Sequence, residues 1–551
     1  MTTIYRILFG IFFAAIPVLS NATNAQEAEV HKLLEQYDRA DSPGFSIGIA
    51  KDGKQVFAKG YGMADLEQDI PNRTDTIFHV ASVSKQFTAF AIALLAREGK
   101  VDLDADIRDY LPYVPDFGHT ITVRHLILHT SGLRDQWELF FIGGMWDAVK
   151  SQKQIVNMVS RQTALNFKPG EEYLYCNTGY SLLGEIVKAV SGQNLRDYTT
   201  EHMFKPLGMN NTFFYDDITE VVPNRAHSYE RDEKGSPWKR SLLNINNVGA
   251  TSLHTTVEDL LKWTNNFRAP TVGDKALIKQ ITTMGQLNNG NPINYGFALY
   301  KQDYNGHTAM GHGGADSGFR ASFNYFMEDD LAIVLTTNAP DILDRSKIIA
   351  EIAELYLGQK ELAAVPEKTD PQASLLDELS GAYQDRVFDE VAEIKRTETG
   401  VTFFGAPLVF RKDGTFDMGD AQRRSNNFYK IVRNTKGKIT GIKEGEAGSD
   451  GRTSHHSKVT IATPTDDDLI ELEGDYRSSE LDVTYSLSVK DGELSALMIW
   501  FDDPIIYKPA SKDTFLSEWT VLKIVRDKMN KVSGIRISGG RARNLELKKV
   551  S

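Results

Sequence analysis

Apolar and polar positions alternate in different ways along the chain, and each change of period marks a different element. Ile7 to Leu19 is an almost uninterrupted apolar run, short for a membrane span, after a Met1–Arg6 stretch with one basic residue. Small and polar residues follow and lead to Thr23-Asn24-Ala25 ahead of Gln26, the layout of a cleaved export signal. An uncleaved anchor is the other reading. Phe45 to Ala50 is strand-like, Lys51-Asp52-Gly53-Lys54 is a turn and Val56 to Tyr61 returns, so Gly44 to Asp65 reads as a hairpin. The period then becomes helical: Phe87, Phe90, Ala91, Leu94 and Leu95 share a face, and no Gly or Pro intervenes until Gly99.

Helical segments are expected again at Thr122 to Leu128, Gln154 to Ala164 and Tyr180 to Ser191. Another follows Thr255 and Glu258, which have capping-box spacing ahead of Leu260, Leu261 and Trp263. Tyr295 to Tyr300, Phe319 to Phe326 and Leu331 to Thr337 read as strands, and Ile342 to Leu357 as a closing helix. Strands at both ends with helices between predict one sheet built from both termini, an α+β domain with a helical insertion. Gln359 to Ser374, with Pro366 and Pro371 among charged residues, reads as a linker.

Beyond it come short alternating strands, with turns such as Lys412-Asp413-Gly414 and Lys490-Asp491-Gly492. This tail repeats itself. Glu378-Leu379-Ser380-Gly381-Ala382-Tyr383 matches Glu471-Leu472-Glu473-Gly474-Asp475-Tyr476, and the same offset carries Lys430-Ile431-Val432-Arg433 onto Lys523-Ile524-Val525-Arg526. The repeat predicts two small antiparallel β-barrels, with one larger β-domain as the other reading. The expected layout is a signal at 1–25, a catalytic domain at 26–358, a linker at 359–373 and barrels at 374–465 and 466–551.

Composition narrows the function. The 551 residues are 41% hydrophobic and 25% charged, with a net charge of -12 and no long basic stripe, which argues against nucleic acid as a partner. The one cysteine, Cys176, excludes an internal disulfide and reads as a core residue. His455-His456 reads as a loop pair without further metal ligands, and Asp466-Asp467-Asp468 as a solvated junction. The aromatic stretch Trp137, Phe140, Phe141 and Trp146 reads either as a pocket lining or as local core.

The candidate chemistry begins at Ser82-Val83-Ser84-Lys85. A serine and a lysine three apart at a helix start share a face, beside free backbone N–H groups and a positive dipole end. Alone the pattern is weak, because Ser82 serves equally well as an N-cap and Lys85 as a solvated charge. Tyr175-Cys176-Asn177 adds a hydroxyl and an amide. Tyr175 becomes a base only if cations lower its pKa, and Asn177 can hold Lys85 and a substrate carbonyl. Gly311-His312-Gly313-Gly314-Ala315 adds glycines that let a substrate backbone approach a strand edge, and a histidine to steady Tyr175 or polarise the site.

In this order, Ser82-x-x-Lys85, Tyr175-x-Asn177 and His312-Gly313-Gly314 resemble the three motifs of the serine β-lactamase-like, penicillin-recognising hydrolases. The likeness is to the class C branch, which includes D-aminopeptidases, D-alanyl-D-alanine carboxypeptidases and carboxylesterases, and it extends over about Gly44 to Leu357. Leu128-His129-Thr130-Ser131-Gly132-Leu133 and Tyr175 to Tyr180 are similar to the same branch. The resemblance implies an α/β/α sandwich with an antiparallel sheet and a helical subdomain. It makes Ser82 the nucleophile and divides the proton work between Lys85 and Tyr175. Asn177 would orient Lys85 and the acyl carbonyl, and the N–H groups of Ser82 and Ala315 would form the oxyanion hole, with no metal or cofactor. His312-Gly313-Gly314 stands where β-lactamases carry Lys-[Ser/Thr]-Gly, so a cation and a hydroxyl that bind carboxylates are missing. Arg320 is the nearest substitute, although a solvent-facing strand arginine is the plainer reading. A hydrolase domain followed by two barrels resembles the D-aminopeptidase layout, in which a barrel loop shapes the pocket. The expectation is an exported bacterial enzyme, periplasmic or secreted, cleaving small peptide, amide or ester substrates, D-aminopeptidase-like. Carboxylesterase or weak β-lactamase is one alternative, and a slowly acylating penicillin sensor another.

Overall fold

Strands from the two ends of the catalytic region meet in one antiparallel sheet. The elements that matter here are α1 (Pro17–Leu34), β1 (Phe45–Lys51), β2 (Lys54–Tyr61), α2 (Ser84–Arg97), α3 (Gln136–Ile142), α4 (Asn177–Ser191), α5 (Val257–Arg268), β3 (Tyr300–Tyr304), β4 (His307–Asp316), β5 (Phe319–Phe326), β6 (Leu331–Thr337) and α6 (Arg345–Leu357). The six strands run in the order β3-β4-β5-β6-β1-β2. The computed structural model describes residues 17–361, 365–385, 390–419, 428–444, 455–498 and 503–550. The expected export signal falls mostly on residues 1–16, outside the described residues. Among the described residues no helix is long and apolar enough to cross a membrane.

Period-two patterning explains why the sheet is covered on both faces. Phe45, Ile47 and Ile49 of β1 point into a core with Val30 and Leu34 of α1 and Ile349 and Ile352 of α6. Gly48 points the other way, where a Cβ would stand 3.0 Å from Leu261 Cδ1 on α5. β1 pairs with β6 from Phe45 opposite Thr337 to Lys51 opposite Leu331, so the hairpin and the last strand of the region form one unit.

Several expectations shift. The α5 cap is Thr256, whose side chain accepts from the Asp259 N–H, one residue beyond the expected Thr255–Glu258 box. The strand expected at Tyr295 to Tyr300 begins at Tyr300, and Ala298 with φ +59° turns the chain ahead of it. β4 was not among the expected strands, because its run of glycine and histidine hides the strand pattern. His455-His456 lies in a strand, His455–Val459, and not in a loop. Asp466-Asp467-Asp468 forms the first turn of a short helix capped by Thr465, where three carboxylates face the positive dipole end.

The tail forms two closed antiparallel barrels of eight strands each. Their internal bonds repeat as the sequence does. Tyr383 Oη donates to Leu379 O at 2.5 Å, and Tyr476 Oη donates to Leu472 O at 2.7 Å. Arg433 pairs with Glu378 as Arg526 pairs with Glu471.

The second barrel shares one apolar core with the helical insertion, in which Leu139, Phe140 and Ile142 of α3 cluster with Leu545 and Tyr485. A buried ion pair locks this seam. Arg134 Nη1 donates to Glu480 Oε2 at 2.7 Å and to Gln162 Oε1 at 2.9 Å, and its Nε donates to Arg543 O. The two charged side chains are 1% and 4% exposed. Glu480→Ala leaves the Arg134 charge buried without its partner, an expected loss of about 3–5 kcal/mol in denaturant unfolding. A change below about 1 kcal/mol would remove this pair from the account of the seam.

Candidate active site

Ser82 stands on a strained turn. The strand Phe78–His79 leads into Ala81, a non-glycine residue at φ +47°, and Ser82 lies in a single 3-10 turn, Ala81–Val83, directly before α2. A left-handed alanine costs about 1–2 kcal/mol, so the surroundings must hold it. Ser84 Oγ donates to Ala81 O at 2.5 Å and accepts from the Leu253 N–H at 2.9 Å. Gly314 on β4 provides the remaining support, since a Cβ there would fall 2.2 Å from Val80 O. Gly314 therefore admits the protein's own turn, not a substrate backbone as expected. Gly313 is the open one, with no atom nearer than 3.9 Å to a Cβ at that position.

Lys85 follows one turn later and is fully buried. Its Nζ lies 3.0 Å from Ser82 Oγ, 2.8 Å from Asn177 Oδ1 and 2.6 Å from Ala250 O. Burial pulls its pKa down to about 7, against the opposing pull of Asp316 and Asp135. Asn177 Oδ1 and Ala250 O can only accept. A neutral amine that donates to both turns its lone pair toward Ser82 Oγ.

Tyr175 presents a partly exposed ring whose buried Oη lies beside the Ser82 hydroxyl, without the geometry of a full hydrogen bond. Burial raises its pKa well above 10, against the Ser82 hydroxyl and Arg541, which favour the phenolate. Lys85 Nζ lies 4.9 Å from the ring centroid. His312 does not bond to Tyr175, the first of its two expected roles. Its Nε2 meets Tyr295 Oη at 3.2 Å, and Tyr295 Oη meets His129 Nε2 at 3.1 Å. The Cys176 N–H donates to His129 Nδ1 at 3.0 Å, which fixes every proton in the chain. His129 Nε2–H donates to Tyr295, Tyr295 donates to His312 Nε2, and His312 Nδ1–H donates to Gly313 O at 2.5 Å. Burial keeps both imidazoles neutral, with His312 lowered to about 3.

β4 leaves a free edge beside Ser82. β3 pairs only with His307 to Gly311, while β5 pairs on the other side as far as Asp316. The antiparallel alternation that directs Gly311 toward β3 directs the main-chain groups of Gly313 and Ala315 to this open edge. Both residues are exposed. The Ser82 turn packs against β4 at Gly314, one residue from Ala315. Arg320 supplies no cation there, because its guanidinium donates to Ser317 O and Phe319 O and closes the β4–β5 hairpin.

Two functional side chains escaped the sequence reading. Asp135 caps α3 at the Trp137 N–H and accepts from the N–H and the Nδ2 of Asn177, at 2.5 and 2.9 Å, so it turns Asn177 Oδ1 toward Lys85. Arg541 comes from the second barrel, between the strands Val532–Gly539 and Ala542–Lys549. It lies 3.3 Å from both Asp135 Oδ1 and Glu138 Oε1, with its guanidinium 5.8 Å from the Tyr175 ring centroid. Gly540, at φ +44°, allows this approach, because a Cβ there would stand 2.8 Å from Glu138 Oε1. Burial opposes the Arg541 charge, but Asp135, Glu138 and Tyr175 raise its pKa overall. Within the aromatic stretch, Phe140 is buried, Trp137 and Phe141 are partly buried and Trp146 is exposed. Cys176 is buried and its thiol is pushed up to about 12. The residues of metal-binding type that gather among the described residues, Asp65, Glu67 and His227, lie elsewhere, with Glu67 held by Arg240.

The family model described as Beta-lactamase matches residues 30–356. A D-aminopeptidase of Cereibacter sphaeroides is 29% identical over 54% of this chain, and the match covers 57% of that relative's own length. A D-aminopeptidase of Gluconobacter oxydans is 25% identical over 81% of each chain. The octameric penicillin-binding protein homologue from Pyrococcus abyssi shares the fold, with a TM-score of 0.53 at 22% identity over 86% of this chain and 98% of that one.

Proposed function

Since the chain belongs to the beta-lactamase family, we propose that it is a serine hydrolase that cleaves small amide substrates through an acyl-enzyme on Ser82, in the manner of a D-aminopeptidase. The observation that carries this reading is the environment of Lys85: a buried amine lowered to about 7, its hydrogens committed to Asn177 and Ala250, 3.0 Å from Ser82 Oγ. Lys85 takes the Ser82 proton as Oγ attacks the carbonyl carbon. The oxyanion forms against the N–H groups of Ser82 and Ala315. As the C–N bond breaks, the leaving nitrogen takes a proton from Tyr175 Oη, which burial keeps protonated, and the Lys85 ammonium replaces it. Water then attacks the acyl-enzyme, Lys85 serves again as base, and the acid leaves from Ser82.

The substrate class rests on charge. Arg541 brings a cation into the site, but Asp135 and Glu138 both face it, and Lys85 is about half neutral at pH 7. Among the described residues no surplus cation remains for a substrate carboxylate, which disfavours carboxypeptidase action and suits an amide with a free amino group. The relatives named D-aminopeptidase support the same reading. Turnover of D-alanine anilides, nitrophenyl esters and a chromogenic cephalosporin, beside labelling by fluorescent penicillin, tests it. Turnover of the anilides alone is expected. Stable labelling without turnover would make the protein a penicillin sensor, and inactivity throughout would overturn the reading. Export is part of the proposal: the N-terminus of secreted material should be Gln26, and an intact Met1 would refute cleavage.

Arg541 is expected to act as a positioning residue. Arg541→Ala should lower kcat/KM about 10- to 100-fold through misplacement of Asp135 and Asn177. It should also move the acid limb of the pH profile to higher pH, because the Arg541 charge helps to lower the Lys85 pKa. Arg541→Lys should restore the position of the limb. An unmoved limb in Arg541→Ala would assign the residue to packing alone.

A further inference from the structure

Behind the turn that carries Ser82 lies a second cavity, of about 220 Å³, bordered by segments 225–228 and 241–244 and by His254 and Phe319. At roughly 30 Å³ for each water it has room for about seven waters, the scale of a metabolite rather than a drug-sized ligand. His254 belongs to the central strand, Leu253–Thr255, of a small sheet and pairs with His79 and Phe213 on its two sides. Neither Ser82 nor Lys85 lines the cavity. Between the two sites stand His79 and Asp316, joined by a 2.9 Å bond.

The lining is one-sided in charge. It contains Arg225 and Arg240 and no Asp or Glu. Arg240 is engaged with Glu67 at 3.0 Å. Arg225 is half-buried with its guanidinium 5.0 Å from the Tyr215 ring centroid. Glu220 senses the Arg225 charge but is held by Arg196 through bonds of 2.6 and 2.8 Å. Among the described residues no carboxylate pairs with Arg225. The inner wall adds an acceptor. His254 is 0% exposed, its Nδ1 faces Ser252 O at 3.3 Å and so carries the proton, and its Nε2 has no partner. Burial keeps the ring neutral. A buried polar atom of this kind calls for a donor from a ligand or a water.

We propose that this cavity binds a small organic carboxylate that also carries a hydrogen-bond donor, an amino acid or a hydroxy acid, with the carboxylate on Arg225 and the donor toward His254. An arginine fork fits a carboxylate through paired N–H bonds, and stacking on Tyr215 holds the fork in place.

Titration calorimetry on the full-length Ser82→Ala protein, where nothing turns over, tests this apart from the hydrolase reading. The probes are D-alanine, L-alanine, lactate, acetate and alaninamide. At least one alanine or lactate should bind, with acetate at least tenfold weaker because it lacks the donor, while any binding of alaninamide, which lacks the carboxylate and suits the Ser82 site, should be unchanged by Arg225→Gln. Alanine binding alone identifies an amino acid, and lactate binding alone a hydroxy acid. Adding Arg225→Gln should weaken the bound probe at least tenfold, and Arg225→Lys should weaken it less. Absence of binding by the alanines and lactate, or an affinity unchanged by Arg225→Gln, overturns the proposal. Should Arg225→Gln fail to fold, crystals of Ser82→Ala soaked in the probe decide. Density on Arg225 supports the site, and density only at Lys85, or none, refutes it.

Discussion

Ser82→Ala is expected to lower kcat on any good amide or ester substrate by about 10⁶-fold, the scale seen when an acyl-transfer nucleophile is removed. The loss should be chemical and not structural. The half-buried Ser82 Oγ meets only the site's own Lys85 and Tyr175, while the turn is held by Ser84, Leu253 and Gly314. Lys85 keeps Asn177 and Ala250, so the melting temperature should stay within a few degrees of wild type. Intact-protein mass spectrometry after exposure to a fluorophosphonate, which reacts with an activated serine and carries no carboxylate, should show an adduct on wild type and none on the variant. Near wild-type turnover by Ser82→Ala, or an adduct that persists in it, would remove the nucleophile assignment.

The second large effect lies at Lys85. Lys85→Met keeps the apolar stem and removes the amine, and should lower kcat by about 10²- to 10⁴-fold, the contribution of a positioned base. The pH profile carries the sharper test. Burial lowers the Lys85 pKa from its ordinary 10.5 to about 7, so the amine is protonated below that pH and neutral above it. Wild-type kcat/KM should therefore fall tenfold per unit as the pH drops below about 7, on a single titration. Residual activity in Lys85→Met should lack that limb. A limb far above neutrality that disappears in Tyr175→Phe would transfer the base to Tyr175, against the burial that holds its hydroxyl protonated.

The parts of the fold that rest on local periodicity were legible beforehand, and the parts that rest on tertiary placement were not. The β1–β2 hairpin and α2 declare themselves through apolar spacing, and the barrel repeat through segments that make the same bonds twice. β4 was hidden because glycines and a histidine have no alternating pattern, although its free edge is what gives Gly313 and Ala315 their place beside Ser82. Within the site, Ser82, Lys85, Tyr175 and Asn177 belong to short motifs, and the geometry brings them together. His129 lay inside a segment already matched to the class C branch, yet its bond to Tyr295 depends on a distant loop. Asp135 and Arg541 are single charged residues with no local signature. Their meeting is set by the seam between the helical insertion and the second barrel, which apolar patterning does not encode.

The Arg541 hairpin also places the site in time. A ribosome releases Ser82, Lys85, Tyr175 and His312 long before it reaches the strands Val532–Gly539 and Ala542–Lys549 that flank Arg541. Until those strands are in place, Asp135 and Glu138 lack their guanidinium and the seam residue Arg134 lacks the carbonyls of Arg543 and Asn544. A chain cut short before Arg541 therefore carries Ser82 in an unfinished site.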